Sequence, residues 1–441
     1  MDIPDFGDFD PNDESLQKLL QRLGIKMGPD GKPDLAGLMR HAETIMRDYQ
    51  TQMAGFGETE SASGLNWGYV LDTAKRSVAQ TSTPTPFTLP QLRDAVGLAE
   101  LWLDDEIAFG ALSTLPELCS RQEWLERSYP TWKTMLRPVV TAMVRAQQDL
   151  VEPGDPLQIG QLWKPMMKIA ANQMMGTQIG ESLGKLASNV LSSSDTGLPL
   201  IENPQVILLP ENIASFAEGL EQSPSDLLLF LALREAARQR LFAAINWLGP
   251  GLLALVDHYA SDTTIDPEIF QREIEDRMRE SEFGTDPEFQ NSIGRGLMSI
   301  FSPARTPAQD EILERLETLL ALIEGWVDEV VSQVTKNRMP SAVGLTEMMR
   351  RRSGAGGPAQ AGLKTLVGIE LRPRRTRDAA NLWAATRAKR GADARDATWR
   401  HPDLLPTTAD LADPLGFAER GRQVEADDFD SALAKLLDEE G

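Results

Sequence analysis

Apolar residues recur every three to four positions over most of the chain, the spacing that gathers them on one face of an α-helix. Within residues 90–113 the pattern consists of Leu92, Val96, Leu98, Leu101 and Leu103. Comparable patterns predict helices over 66–80, 129–148, 160–190, 223–248 and 319–331. A short apolar run at 206–209, placed between two prolines, is the best strand candidate. The chain is therefore predicted to be mainly α, with a short β-ribbon.

Three glycines interrupt the helical pattern of residues 160–190 at intervals of four, Gly176, Gly180 and Gly184. Each costs about 1 kcal/mol relative to alanine in a helix interior, so an offsetting contact is expected. We predict that this stripe faces a neighbouring helix at short distance, because a missing side chain lets two backbones approach. A phosphate-binding loop is excluded, since no strand precedes the glycines and no Lys-Ser/Thr follows at the required spacing.

The 441-residue chain carries a net charge of −22, which favours solubility and repels nucleic acid and anionic membranes. The charge is uneven, because residues 350–395 contain twelve Lys or Arg against three Asp or Glu. We expect this basic stretch, including Arg372, Arg374, Arg375 and Arg377, to pair with acidic residues of the same chain. With no signal-peptide pattern and no long apolar run, a cytoplasmic location is expected, without nucleic-acid or membrane partners.

Few residues are available for nucleophilic or metal chemistry. The single cysteine, Cys119, excludes a disulfide framework and a Cys-rich zinc site. The three histidines are His41, His258 and His401. The sequence contains no G-x-S-x-G, Walker or Rossmann glycine motif, so those enzyme classes are not indicated.

The helix predicted at 223–248 holds the most informative group of charges. Its run 227–233 is apolar on all sides, which is typical of a central helix. Arg234, Glu235 and Arg238 follow directly, and charges in such a place must be paired or lie at a cavity. Arg234 and Arg238 are one turn apart on one face, with Glu235 about 100° around the helix. This is the layout of the zincin motif His-Glu-x-x-His, with arginine at both histidine positions.

A second pair of charges fits the same arrangement. Glu324 and Asp328 lie four residues apart in the helix predicted at 319–331. Zincins of the thermolysin type take a third zinc ligand from a downstream helical glutamate, with an aspartate one turn later behind it.

The chain resembles the zincin-like metallopeptidase family of high-GC Gram-positive bacteria, whose members are often named hydrolases or zinc-dependent metalloproteases. The resemblance covers roughly residues 66–420 and rests on motifs spread along the chain. They are NW at 66–67, AELWLDDE at 99–106, LREAARQRLF at 233–242, NWL at 246–248, EGWVD at 324–328, TLVGIELRPRR at 365–375, DAANLWAA at 378–385 and HPDLLPTTADLADPLGF at 401–417.

The resemblance implies a zincin-like helical core and assigns roles to individual residues. Glu235 matches the general base and Glu324 the third ligand, while Asp328 and Asp257 would lie behind them. Arg234 and Arg238 stand at the two histidine positions. Arginine stays protonated and has no lone pair for a metal, so zinc binding at this helix should be lost.

From this resemblance and from composition we expect the chain to divide into five segments. They are a disordered acidic N-terminus (1–15), a helical region and linker (16–65), a zincin-like core (66–345), a basic segment packed on the core (346–420) and an acidic tail (421–441).

The leading hypothesis is a metal-free pseudoenzyme, without cofactor, that acts as a binding or scaffold protein for a protein or peptide. The alternative is an active zinc-dependent metallopeptidase with an unusual metal site, for which His258 with Asp257 and Glu324 is one candidate ligand set. A regulator that acts on another macromolecule through residues 350–395 is a third class. Under the first hypothesis, Arg234 or Arg238 should form a close ion pair with Glu324, Asp328 or Asp257.

Overall fold

A computed structural model describes residues 64–79, 85–149, 159–262, 306–369 and 375–421, together with the single residues 47, 51 and 55. The predicted N-terminal segment 1–15, most of the region 16–65 and the tail beyond 421 lie outside the described residues. The predicted five-part division therefore stays a prediction. The chain separates into two compact units, Met1–Tyr69 with Val151–Thr177, and Val70–Leu150 with Gln178–Gly441.

The described residues are mainly helical, as the pattern predicts. The elements in chain order are α1 (Trp67–Ala79), α2 (Leu89–Asp104), β1 (Glu117–Leu118), α3 (Arg121–Asp149), α4 (Ile159–Ala187), β2 (Ile207–Leu208), α5 (Pro210–Ala217), α6 (Pro224–Ala244), α7 (Leu248–Ser261), α8 (Pro307–Thr335), α9 (Ala342–Gly354), α10 (Pro358–Val367), α11 (Thr376–Arg390), α12 (Ala392–Ala397), α13 (Thr408–Ala412) and α14 (Pro414–Arg420). Two short 3₁₀ turns, Thr398–Arg400 and Pro402–Leu404, follow α12.

The smaller unit contributes the start of α1 and most of α4. Within it, the Asn172 amide donates to the Gly64 carbonyl (3.0 Å), and the Tyr69 hydroxyl lies 2.9 Å from the Thr177 hydroxyl. A Cβ built on Gly176 would lie 3.1 Å from Tyr69 Cδ1.

The larger unit contains the other two glycines of the stripe, and both meet α1. A Cβ on Gly180 would lie 2.7 Å from the Val70 carbonyl oxygen, and one on Gly184 would overlap the Ser77 hydroxyl. The predicted close approach of a neighbouring helix is confirmed. A side chain at Gly180 would meet backbone, which cannot move aside as a flexible side chain can.

Helix α6 is the central element of the larger unit. It begins at the predicted cap, where the Ser223 hydroxyl accepts from the Asp226 N–H and Pro224 takes the first helical position. Its residues from Leu231 to Leu241 are all buried, and the helix packs against α2, α8, α9 and β2. The charged residues between Leu231 and Leu241 are thus enclosed.

The β-ribbon is a two-residue parallel pair, Glu117 opposite Ile207 and Leu118 opposite Leu208. Its second strand lies in the predicted run 206–209. Leu208 also forms an antiparallel bridge with Ser192, and the Ser193 N–H donates to the Ile207 carbonyl (3.0 Å). This bridge fixes the segment that follows α4 beside the central helix.

Several helix boundaries differ from the prediction, and the helix predicted at 319–331 spans Pro307–Thr335. The helix predicted to run to residue 113 ends at Asp104. The helix predicted to begin at Pro130 begins instead at Arg121 and contains Pro130. The reason is a reciprocal cap, in which the Ser120 hydroxyl accepts from the Glu123 N–H (3.2 Å) and the Ser120 N–H donates to the Glu123 carboxylate (2.7 Å).

No single described helix combines the length and the apolar composition needed to cross a membrane, although α6 and α7, which meet at a 90° bend, pass that test as a pair.

Candidate functional site

Four charged side chains of α6 lie in the interior of the larger unit, and one of them, Arg240, pairs with Glu100 and Asp104 of α2. Arg234, Glu235 and Arg238 are all buried, and Glu235 is 0% exposed. They directly follow the apolar stretch that makes this helix central. A buried charge is costly unless ion pairs and hydrogen bonds compensate it, so the partners of these three residues define the site.

The Glu235 carboxylate is held by a run of three serines. The hydroxyls of Ser192 and Ser194 donate to Oε2 (2.6 and 2.7 Å), and that of Ser193 donates to Oε1 (2.6 Å). The backbone N–H of Ser194 also faces Oε1 (3.3 Å). Sequence reasoning missed these serines. The only local indication is the unbroken SSSD at 192–195, and its approach to Glu235 depends on the distant bridge to β2.

The remaining donors to Glu235 come from its own helix. The Gln239 amide donates to Oε1 (2.8 Å), and Arg238 Nη1 donates to Oε2 (3.1 Å). Each carboxylate oxygen therefore accepts three hydrogen bonds from buried donors. This arrangement stabilises a carboxylate and leaves it no exposed face.

The two arginines of α6 are paired with two carboxylates of α8. Arg234 donates to Asp328 Oδ1 (2.5 Å) and Glu324 Oε2 (2.9 Å), and Arg238 donates to Glu324 Oε1 through Nη2 (2.7 Å) and Nε (3.0 Å). Glu324 thus bridges both guanidinium groups. The predicted ion pairs of Arg234 and Arg238 with Glu324 and Asp328 are present.

The direction of the pKa shift of Arg234 is consistent with this pairing. Burial by itself would lower the pKa of Arg234, but the neighbouring carboxylates of Asp328 and Glu324 more than offset it and raise that pKa above its usual value. Arg234 therefore remains a cation.

Helix α9 adds two further arginines to the same group. Arg350 Nε donates to Asp328 Oδ2 (3.2 Å), and Arg352 forms a two-pronged pair with Asp195 (3.1 and 2.8 Å). Burial alone would raise the pKa of Asp195. The charge and hydrogen bonds of Arg352, with the Leu191 N–H, prevail and lower it.

Together these side chains form a balanced group of four guanidinium groups and four carboxylates, here named the cleft cluster. Its members are Arg234, Arg238, Arg350, Arg352, Asp195, Glu235, Glu324 and Asp328.

The cluster forms one wall of a cleft of about 770 Å³. Glu324, whose side chain is 28% exposed, lies at the boundary between the buried pairs and this space. Further parts of the lining come from the last residues of α9 and from the first turns of α10 and α11. A volume of this size is typical of a site for a small molecule or a short segment of peptide.

Other predicted site residues lie apart from this group. Asp257 on α7 makes no ion pair with Arg234 or Arg238, so its predicted place behind the site is not supported by a contact. His258 is exposed on the same helix. His401 is exposed, and its Nδ1 accepts from the Asp403 N–H (3.2 Å).

Cys119 offers no further chemistry to the site. Cys119 is buried, and burial raises the pKa of its thiol to about 12, which is typical of an inert core cysteine. His41 lies outside the described residues.

The basic stretch 350–395 pairs widely with acidic residues, as predicted. Arg375 lies 3.6 Å from Glu314, and Arg387 donates to Glu329 (2.5 Å). Arg377 is exposed on the cleft and has no ion pair with a described residue. Arg372 and Arg374 lie outside the described residues.

Comparisons with known proteins agree with this architecture. A solved structure from Chloroflexus aurantiacus, described as a "putative hydrolase with a novel fold", is similar with a TM-score of 0.56 and 20% identity, over 81% of this chain and 98% of that one. At this identity the likeness shows a shared fold. No curated protein matches the chain.

The family follows from a second comparison. The sequence model described as zincin-like metallopeptidase matches residues 65–418. The chain belongs to this family.

The family description raises the question of a metal, and the residues predicted as former ligands do not fit one. Arg234 and Arg238 are cations without a free lone pair, and both oxygens of Glu324 already accept from them. Among the described residues, no group of three or more His, Cys, Asp or Glu side chains is placed to hold a metal ion.

Proposed function

We propose that this chain is a metal-free, non-catalytic member of the zincin-like metallopeptidase family that acts as a binding or scaffold protein for a protein or peptide partner. One observation carries the proposal. The guanidinium groups of Arg234 and Arg238, at the positions predicted for the two histidine ligands, are paired with Glu324 and Asp328.

The positive charge at these two positions disfavours the binding of Zn²⁺. A zincin site brings two neutral imidazoles and a carboxylate to Zn²⁺. Here two fixed cations take the place of the imidazoles, and they already neutralise the carboxylate of Glu324. A divalent cation would have to displace both ion pairs and then lie beside two positive charges.

Glu235 is suited to a structural role. A general base must come within hydrogen-bond reach of the proton that it removes. Glu235 is enclosed by Ser192, Ser193 and Ser194 and by two side chains of its own helix, with no exposed surface. We infer that it anchors the serine segment to α6.

The cleft supports the binding part of the proposal. It lies against the same ion pairs, and its lining is rich in charged side chains. A protein that has lost the ligands for its metal can keep the adjacent cleft, because binding a peptide does not require the metal. We keep the expectation that neither nucleic acid nor a membrane is the partner, and that the protein is cytoplasmic.

The test is peptide hydrolysis by the full chain, with zinc supplied and removed. A fluorogenic peptide library should be cleaved no faster by the wild type than by the Glu235→Gln variant, and a chelator should change neither rate. Cleavage that requires zinc and disappears in Glu235→Gln would instead establish the alternative, an active zinc-dependent peptidase with an unusual metal site.

A further inference from the structure

The cleft contains guanidinium N–H donors that the ion pairs of the cleft cluster leave free. Arg350 gives only its Nε to Asp328, at 3.2 Å. Its two Nη groups donate to no described residue, and its side chain is 39% exposed on the cleft. An arginine with both Nη groups free can bind one carboxylate through two parallel hydrogen bonds.

A second guanidinium faces the same space. Arg377, in the first turn of α11, lines the cleft and has neither an ion pair nor a side-chain hydrogen bond with a described residue. No described carboxylate lies at ion-pair distance from Arg377.

The acidic side chains of the lining are mostly committed elsewhere. Asp195, Glu324 and Asp328 are bound to arginines of the cleft cluster. Glu317 is engaged within the chain. Asp378, beside Arg377, is the remaining acid on the lining. The donors left unused on the lining are therefore the two Nη groups of Arg350, whose charge already balances the cleft cluster, and the whole guanidinium of Arg377.

The N-terminal ends of two helices lie beside these guanidinium donors. The first turns of α10 and α11 line the cleft, and neither helix has a side-chain cap at its N-terminus. The N-terminal end of a helix favours a negative group; the first turn of α11 already holds Asp378, whereas that of α10 holds no acid, so α10 adds to the effect of the arginines.

We propose that the cleft binds an acidic segment of a peptide, with a carboxylate held by the free edge of Arg350 and a neighbouring carboxylate by Arg377. The inference deepens the proposed function, on which it rests, because it names the chemistry of the partner. Selectivity comes from these free donors at short range, since at physiological salt the net negative charge of the protein is screened beyond about 8 Å.

The experiment measures fluorescence anisotropy of fluorescein-labelled heptapeptides with three central glutamates, at about 0.15 M salt. Matched peptides carry glutamine or lysine at the same places. We expect the glutamate peptide to bind about tenfold more tightly than the glutamine peptide, and the lysine peptide not to bind. The Arg350→Gln/Arg377→Gln variant should lose that preference.

Two controls keep the result interpretable. Arg351→Gln changes an exposed neighbour that pairs with Glu347 and does not line the cleft, so it should leave binding unchanged. Arg377→Gln alone removes no described ion pair. It should weaken binding of the glutamate peptide severalfold while the melting temperature stays the same.

Equal binding of the glutamate and glutamine peptides, a preference for lysine, or no binding would overturn the inference. So would tighter binding of a single-stranded oligonucleotide that depends on Arg350 and Arg377. Mass spectrometry of the peptides separates this test from that of the proposed function. Binding with cleavage would contradict the proposed function alone, and absence of binding without cleavage would contradict the acidic-peptide site alone.

Discussion

The cleft cluster and a second group of ion pairs both take carboxylates from α8, yet they lie in different surroundings. The second group, here named the interior cluster, comprises Arg387, Arg395, Glu106, Glu329 and Asp396. Glu329 directly follows Asp328, so one helix supplies both groups from faces about 100° apart. One cluster borders open space, and the other holds separate segments of the chain together.

The interior cluster is built around Arg395, which is 0% exposed. Its guanidinium donates to Glu329 (2.5 Å) and Asp396 (2.8 Å). Asp396 also accepts from the Trp326 indole (2.9 Å) and from the Ala108 N–H (2.8 Å). These contacts fix α12 against α8 and against the segment after α2, which is a structural task.

Charge balance separates the two clusters. The interior cluster sets two arginines against three carboxylates. Burial raises the pKa of Glu106, Arg395 opposes that shift, and the charge of Glu329 adds to it, so the net change is upward. The cleft cluster is balanced, and the pKa of Asp195 within it is lowered. In the cleft cluster, Arg234 and Arg238 help to balance the charge of the four carboxylates. Other members of the cluster, Glu324 and Arg350, are still partly exposed on the cleft and can meet a ligand.

The largest effect is expected from Arg395→Met, which leaves Asp396 buried without its cation and Glu329 with Arg387 as its remaining partner. Removing one partner of a buried ion pair costs about 3–5 kcal/mol. Urea denaturation of the full chain measures the change. Arg400→Met, an exposed neighbour, should stay within about 0.5 kcal/mol of the wild type. Equal effects of the two substitutions would remove the structural role assigned to the interior cluster.

In the cleft cluster, Glu235→Gln should cost about 2–3 kcal/mol. The amide keeps the shape, but its NH₂ replaces one oxygen and presents hydrogens to either Gln239 or Arg238, neither of which can accept through these groups, while the serine hydroxyls can rotate. The exposed Glu221→Gln is the matched control and should be neutral in the same denaturation assay. A neutral Glu235→Gln would show that the serine segment does not depend on the carboxylate.

A smaller effect, about 1–2 kcal/mol, is expected for Glu324→Gln. Its side chain is 28% exposed, so water replaces part of what the two arginines lose. Glu311→Gln, on an exposed position of the same helix, provides the comparison. A loss as large as that of Arg395→Met would mean that the cleft cluster is as closed as the interior one.

The smallest effects concern pH, and the two clusters should respond with opposite sign. The lowered pKa of Asp195 contributes stability that is present above its unfolded value of about 3.9 and is lost as pH falls through the folded pKa. The raised pKa of Glu106 contributes stability that is present below about 4.3 and is lost as pH rises through its folded pKa.

Urea midpoints measured between about pH 3 and 6 test this pair of signs. The cost of Asp195→Asn should shrink toward acid. The cost of Glu106→Gln should shrink as the pH rises, because the wild type then carries the disfavoured carboxylate. The same pH trend in both variants would contradict the difference in charge balance.

Sequence reasoning predicted those parts of the site that depend on local chemistry. The start of α6 was predictable because Ser223 and Pro224 form a cap within four residues of chain. The pairing of Arg234 and Arg238 with Glu324 and Asp328 was predictable because buried charges need partners and the helical spacing offered these two.

The missed parts depend on contacts that the sequence does not display. Ser192 reaches Glu235 because it bridges to β2, a contact between residues 16 apart with no local pattern to mark it. Arg350 and Arg352 were recognised only as members of a basic stretch, since their partners lie 22 and 157 residues away. The early start of α3 was missed because the apolar pattern near Pro130 hid the cap at Ser120.

Zinc titration calorimetry on the chelator-treated full chain tests the central claim most directly. With Arg234 and Arg238 held by Glu324 and Asp328, we predict no saturable zinc binding at micromolar concentrations. The Arg234→His/Arg238→His variant is the matched control, and it should gain zinc binding through both imidazoles and Glu324. Stoichiometric zinc binding by the wild type that disappears in Glu324→Ala would contradict the account.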